Sequence, residues 1–502
     1  MTRRWCRLVA AAFAALGLVA VLHRRTLRTG RGSRVTAATS AIPAGTGRAR
    51  RGAELAAIGA RTTASYTAMT ARSVLADNQR KQELRSEFEL RTAADVVATL
   101  GQMKGAMMKL GQMASYLDQG LPEPVRAMLS QLQADAPPMA WELVEETLDR
   151  ELGGPWRERF AEIDHVPLAA ASIGQVHRGV TLDGRPVAIK VQYPGVDEAI
   201  RTDLEASDLL FNAMGMLFPG MDPGPIVNEL RDRLTEELDY VNEARVQRRF
   251  AEYYVDHPTI VVPMPFEELS TARVLTTELA EGASWAELLT WGSEARDAAA
   301  ETIYRFAFGG IYRVGTFNGD PHPGNYLFRA DGSVVFLDYG LCKEFAPHTL
   351  EAAGAMIQAM VIDRDITEFR RLLASIGLLD DRPEFTDAQI DSYFSHFYEF
   401  VLTEGVSTMT AEYASESVRR YFDLGSEHSG IMKAVNLPAD WVVLQRINLG
   451  LFALFGELGA TGNWRRLAEE IWPWVDGEPS TELGQRIRDW EIATGKRAAA
   501  PA

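Results

Sequence analysis

Apolar spacing divides the chain into blocks of different period. From Glu54 to Leu132 strong helix formers carry apolar residues three and four apart until Pro137 and Pro138 end the run, which predicts a helical extension over residues 54–138. Between Pro167 and Val191 the texture shortens to strands. Ile173, Val176 and His177 lead to Asp183-Gly184, and Val187-Ala188-Ile189-Lys190-Val191 follows, so an Asp-Gly pair between apolar runs predicts a hairpin. A charged stretch from Ile226 to Tyr253 has helical spacing, and Val261 to Met264 and Val274 to Leu279 predict further strands. Beyond Trp285 the pattern is mainly helical to Trp474, broken by a loop and hairpin over residues 318–340, and residues 476–502 read as a tail that frays towards its end.

Ahead of these blocks, residues 31–53 are rich in Arg, Gly, Ala, Thr and Ser without a sustained apolar period, the composition of a flexible linker. Residues 1–30 differ again. Arg3, Arg4 and Arg7 precede an apolar run from Leu8 to Leu22, and Arg24, Arg25, Arg28, Arg31 and Arg34 follow it. A signal peptide, a short membrane anchor and a disordered leader all fit a run of that length, and no clean cleavage site follows Leu22. The arginines beyond it favour an anchor that keeps the downstream domain on the cytoplasmic face.

Composition narrows the function classes. The chain has 502 residues, 46% hydrophobic and 24% charged, enough apolar surface for two or three domains. A formal net charge of -16 gives no electrostatic footprint for nucleic acid. The two cysteines, Cys6 and Cys342, stand far apart, so neither a disulfide framework nor a four-ligand zinc site is available. His177 and His322 lack a second ligand at metal-binding spacing.

The densest chemical signal is Gly319-Asp320-Pro321-His322-Pro323-Gly324-Asn325, followed after an apolar segment by Val334-Val335-Phe336-Leu337-Asp338-Tyr339-Gly340. Phosphoryl transfer needs a carboxylate near the attacking group and an Asn and a second Asp to hold magnesium against phosphates. Asp320 and Asn325 have the five-residue spacing of a kinase catalytic loop, and Asp338-Tyr339-Gly340 stands where Asp-Phe-Gly follows. Asp, Pro, Gly and Asn also build ordinary tight turns. That alternative loses ground because Lys190 lies upstream in Val187-Ala188-Ile189-Lys190, the strand motif whose Lys reaches nucleotide phosphates. The predicted fold is therefore α+β: a two-lobed protein-kinase-like fold with an N-lobe over residues 139–282 and a mostly helical C-lobe over 283–475, after the N-terminal helical extension.

Where kinases place a glycine-rich loop, this chain has Ala169-Ala170-Ala171-Ser172-Ile173-Gly174-Gln175-Val176-His177. Residues with a Cβ take positive φ less readily, so such a loop is stiffer over the phosphates, and nucleotide preference, ATP or ADP, should shift. Together with Lys109-Leu110-Gly111-Gln112, Glu237-Leu238-Asp239 and the Gly-Asp-Pro-His-Pro-Gly-Asn loop, this resembles the UbiB/AarF family of atypical kinases over residues 95–460. That family is linked to ubiquinone and other isoprenoid-lipid metabolism.

The resemblance implies that Lys109, Gln112, Glu237 and Asp239 belong to a lid or its metal side, over the place where a protein substrate would dock. It gives Lys190 the phosphate contact, Asn325 and Asp338 the Mg2+, Asp320 the position of catalytic base, and Ala169 to Ser172 the nucleotide. ATPase or small-molecule phosphotransfer chemistry coupled to lipid is favoured over ordinary protein-kinase activity, with quinone- or lipid-synthesis proteins as possible partners. A nucleotide-gated switch that binds lipid or partner without transferring phosphate is the alternative.

The acid that pairs with Lys190 is chosen by helix geometry. Asp239 and Glu243 are four apart and share a face, while Glu237 points about 200° away from Asp239 at roughly 100° per residue. Glu243 is assigned to Lys190, and Glu236 reads as a solvated acid. Thr276-Thr277-Glu278-Leu279-Ala280 occupies the hinge position, with Glu278 and Ala280 nearest the adenine edge. Arg446 resembles a family arginine and fits a structural ion pair equally well, and Leu449 to Phe455 reads as core.

Overall fold

A computed structural model describes residues 139–171, 173–198, 238–319, 321–379, 384–421, 429–436 and 439–497. The expected leader, linker and helical extension before residue 139 lie outside them. So do Lys109, Gln112, Ser172, Glu236, Glu237 and Asp320. Two compact units are present: Met1–Val144, Pro167–Gln175 and Gln192–Leu238 form the first, and Glu145–Val166, Val176–Val191 and Asp239–Ala502 the second.

In the first unit the Gln175 side chain accepts from Met139 N at 2.8 Å and donates to Met139 O at 3.3 Å. Tyr193 N donates to Ile173 O at 2.9 Å, and Gln192 Nε2 to Leu238 O at 2.9 Å. Ala169 and Ala170 form a short exposed strand, and Ala171 N donates to Gly174 O, closing the turn that carries the alanine-rich loop.

The chain order of elements is α1 (Trp141–Glu151), β1 (Phe160–Ile163), β2 (Ala169–Ala170), β3 (Gly174–Thr181), β4 (Pro186–Gln192) and α2 (Tyr240–Tyr253). The β3–β4 hairpin turns at Gly184, whose φ of 85° is the left-handed conformation that Asp-Gly supplies. Then come β5 (Ile260–Val261), β6 (Val274–Glu278), α3 (Ser293–Arg313), β7 (Thr316–Asn318), β8 (Tyr326–Phe328), β9 (Val334–Phe336) and β10 (Cys342–Glu344). The helical remainder contains α4 (Pro347–Ile357), α5 (Ile366–Ser375), α6 (Asp387–Leu402), α7 (Ala439–Leu458), α8 (Trp464–Ile471) and α9 (Glu482–Ala493).

In the second unit β1, β3, β4 and β6 lie side by side as an antiparallel sheet. Pleating sorts the residues of β4 by parity: Val187, Ile189 and Val191 are all fully buried, which leaves Lys190 on the opposite face, paired across to Leu275. A second sheet runs β5-β9-β8, with β5 parallel to β9 and β8 antiparallel to it, and β7 pairs with β10. Val334, Val335 and Phe336 of β9 are buried, and Phe336 stacks on Phe306 of α3 with ring centroids 3.6 Å apart. Each such side chain removed from water contributes about 1.5–3 kcal/mol, so this aromatic seam fixes the hairpin against the longest helix.

The C-terminal segment differs from the frayed tail expected. Thr481 caps α9 by accepting from Gly484 N, Trp490 is 9% exposed, and Trp490 Nε1 donates to Val255 O at 3.0 Å. Arg313 meets Glu491 at 2.6 Å. The anchoring partners come from α3 and from the turn after α2, more than a hundred residues upstream, so no local periodicity announces them.

Candidate active site

The site grows from the β8–β9 hairpin. Tyr326 pairs with Phe336, so the residues just outside that pair, Asn325 and Leu337, face each other, and Leu337 N donates to Asn325 O at 3.0 Å. Thirteen residues of sequence collapse into neighbours, which sets Asn325 one hydrogen bond from the residue before Asp338. Asn325 sits in a tight 3-10 turn with Pro323 and Gly324, held by His322, whose Nδ1 accepts from Gly324 N at 3.1 Å. His322 thus shapes the loop.

Two glycines let other segments close on it. A Cβ on Gly319 would run into the Leu341 carbonyl, to which Gly319 N donates at 2.6 Å. A Cβ on Gly450 of α7 would come within 2.7 Å of Pro321 Cγ. Helix α7 can approach the loop only without that carbon.

Asp338 is fixed at both ends: Asn318 Nδ2 donates to its carbonyl at 2.8 Å, and its Oδ1 accepts from Gly340 N at 3.1 Å. Its Oδ2 lies 3.4 Å from Lys190 Nζ. Lys190 Nζ is also 2.9 and 3.2 Å from the two oxygens of Glu243 and stands 4.9 Å over the Tyr240 ring.

Helix α2 begins one residue after Asp239, whose side chain accepts from Asn242 N at 3.0 Å. Asp239 is therefore the helix N-cap, where a carboxylate satisfies an orphan donor and suits the helix dipole; the sequence expectation had placed it inside a longer helix. Tyr240, Glu243, Ala244, Val246, Gln247, Phe250 and Ala251 form the buried face. A carboxylate in that stripe is tolerated only when paired.

Burial pushes the Glu243 carboxyl up to about 7, opposed by the Lys190 ammonium and helped by the Asp338 charge. Burial alone would discharge Lys190, but Asp338 and then Glu243 overrule it and hold the ammonium well above its ordinary range. Burial thus favours the neutral acid at Glu243, while the two carboxylates favour the charged ammonium at Lys190. A divalent cation at Asp338 would supply the missing positive charge, and the half-exposed Asn325 amide beside it is a suitable oxygen donor. Among the described residues no three His, Cys, Asp or Glu side chains gather into a metal set.

Lys190, Glu243, Asp338 and the Asn325 loop come together in the second unit. Ala169, Ala170 and Ala171 belong to the first unit. Glu278 ends β6 exposed, exchanging bonds with Met264: its backbone N donates to Met264 O at 2.9 Å and its Oε2 accepts from Met264 N at 3.0 Å. Ala280 follows it, half-buried. Three contributors escaped the sequence: Tyr240, Asn318 and Glu344. Glu344 on β10 takes Arg249 at 2.7 Å and Arg245 at 3.3 Å, tying the segment after Asp338 to the helix of Glu243. Tyr240 was findable, being three residues before Glu243 on one helix face. Asn318 and Glu344 carry no signal beyond their type.

A strand lysine clamped to a helix glutamate, with an Asp-Tyr-Gly aspartate beside it, accompanies a protein-kinase-like fold of the atypical kind. Residues 131–373 match the ABC1 atypical kinase-like domain. The chain is 33% identical over 270 residues to the atypical kinase COQ8B, mitochondrial, of Danio rerio, covering 52% of this chain and 43% of that one. It is 28% identical over 377 residues to the atypical kinase COQ8, mitochondrial, of Saccharomyces cerevisiae, covering 74% of each. Among solved structures, the Rv3197–erythromycin complex from Mycobacterium tuberculosis superposes with a TM-score of 0.58 at 32% identity, over 80% of this chain and 100% of that one. The chain belongs to the ABC1 family of atypical kinases, also called UbiB/AarF. It spans less than half the length of the zebrafish relative.

Proposed function

We propose that this protein is an atypical kinase or ATPase that binds a magnesium adenine nucleotide and couples its turnover to quinone or isoprenoid-lipid metabolism at a membrane. The observation that carries the proposal is the Lys190–Glu243 pair at 2.9 Å with Asp338 at 3.4 Å, the arrangement a kinase needs before phosphate arrives. Lys190, steadied by Glu243 and the Tyr240 ring, holds the α and β phosphates. Asp338 and Asn325 hold the magnesium, which when bound neutralises charge developing on the phosphates. Asp320 takes the place of catalytic base. Ala169 to Ser172 are assigned to the nucleotide, and the backbone at Glu278 to Ala280 meets the adenine. Lys109, Gln112, Glu237 and Asp239 are assigned to the lid. The yeast and zebrafish relatives, named as mitochondrial COQ8-type kinases, support the quinone association.

Membrane association rests on the apolar run from Leu8 to Leu22, outside the described residues; among those residues no helix is long and apolar enough to cross a bilayer. The alternative is a nucleotide-gated binding protein, favoured by the neighbour solved in complex with erythromycin. Phosphate release from Mg-ATP by the full chain, with and without anionic liposomes, separates the two. Release that liposomes raise, and that Lys190→Ala and Asp338→Asn each lower at least a hundredfold, supports the enzyme. Tight nucleotide binding with release no faster than in those variants would leave only the switch.

A further inference from the structure

Among the helices of the second unit lies a cavity of about 100 Å3 that the nucleotide site does not use. Helices α3, α4, α6 and α7 surround it, and its wall is largely aromatic, with Phe308, Phe345, Phe397, Tyr398 and Trp472. Polar atoms enter that wall at the tyrosine hydroxyls, at Thr349 and at Asn448. Asn448, on α7, presents an Oδ1 that is shielded from solvent and meets no donor among the described residues. A buried amide oxygen in that state is uncommon in folded proteins and calls for a partner. A second feature marks the same place: α4 ends at the lining residue Ile357 and passes directly into a π-helical stretch, Gln358–Asp363. Such stretches are rare and collect at functional sites.

Size and polarity together define an occupant. A dry apolar cavity of about 150 Å3 takes up benzene, with its six carbons, so this one of about 100 Å3 accommodates a body of about four non-hydrogen atoms. We propose that the cavity is a binding site for a compact apolar molecule bearing one hydrogen-bond donor, which it directs to Asn448 Oδ1. The wall supplies burial and dispersion for the apolar body, and the orphaned oxygen selects the donor. This site is independent of the nucleotide chemistry.

2-Propanol is a suitable probe and isobutane its shape-matched hydrocarbon, both titrated against the full chain by ligand-observed NMR. 2-Propanol should bind saturably and about tenfold more tightly than the hydrocarbon, the usual worth of one buried hydrogen bond. Asn448→Ala should abolish that preference while the hydrocarbon still binds. Ala353→Leu, which fills the space from α4, should weaken both probes at least tenfold, and it decides the matter if Asn448→Ala fails to fold. Equal affinity for the two probes, a preference that survives Asn448→Ala, undiminished binding in Ala353→Leu, or no saturable binding of 2-propanol would each overturn the proposal.

Discussion

Replacing Lys190 by methionine keeps most of the side-chain volume and removes the ammonium from between two carboxylates. At 2.9 Å from Glu243 and 3.4 Å from Asp338, the gross attractions at an effective dielectric of about 20 are about 6 and 5 kcal/mol. Most of that offsets desolvation, and one-sided removal of a buried pair costs about 3–5 kcal/mol when the stranded charge stays ionised. Glu243, only 2% exposed, has an escape. Without Lys190 its carboxyl rises above the value of about 7 that it has in the intact protein, and it takes up a proton instead.

The sign follows from proton counts. A carboxyl raised in the folded state is bound by more protons there than in the unfolded chain, so its contribution falls as pH rises. Below about pH 7 Glu243 is protonated in both proteins and the deficit of Lys190→Met is flat. Above it the variant alone holds the proton, and the deficit grows by up to about 1.4 kcal/mol per pH unit. Urea unfolding of both proteins at pH 6, 7, 8 and 9 measures this, with Glu243→Gln as background, in which the Lys190→Met effect should lose its pH dependence. A deficit that is flat or shrinking from pH 7 to 9, or that rises equally in the Glu243→Gln background, would refute the charge argument.

Two further outcomes follow from buried polar groups. The Tyr339 hydroxyl is fully buried beside Phe250 and Phe306 and has no partner among the described residues, so Tyr339→Phe should stabilise the fold by about 1 kcal/mol in urea unfolding; a loss of stability instead would mean that the hydroxyl is satisfied. His257 is pushed down to about 3, by burial first and then by Arg305, Arg313 and Arg486, and its Nδ1 accepts from Thr259 N and Ile260 N at 3.2 and 2.8 Å. The unfolded chain therefore binds the extra proton below pH 6.5, stability is lost as pH falls through that value, and by pH 5 the loss from this group reaches about 2 kcal/mol. His257→Asn should flatten the slope between pH 6.5 and 5 by that amount, and an unchanged slope would show that His257 is free to protonate.

Part of the candidate site was legible because it depends on short spacings. The Asp-Tyr-Gly and the alternation that turns Lys190 away from Val187, Ile189 and Val191 are local patterns, and local geometry carries them, whereas Asp320 lies outside the described residues. The choice of Glu243 over its acidic neighbours came from helix phase, though the helix proved shorter than its charged run, since Asp239 caps it. The tail was misjudged because Trp490 and Glu491 find Val255 and Arg313 only through the fold.

By itself, then, the sequence determined the strands around Lys190, the choice of Glu243 as its partner and the family resemblance, because those patterns repeat every two to four residues or lie within a loop. The tertiary structure alone decided how deeply the Lys190–Glu243 pair is buried, that Asn318 and Glu344 support Asp338 and the Glu243 helix, and that an aromatic cavity with an oxygen unpartnered among the described residues lies among the helices. Those depend on burial and on contacts between distant residues, and neither desolvation nor a packing void has any period along the chain.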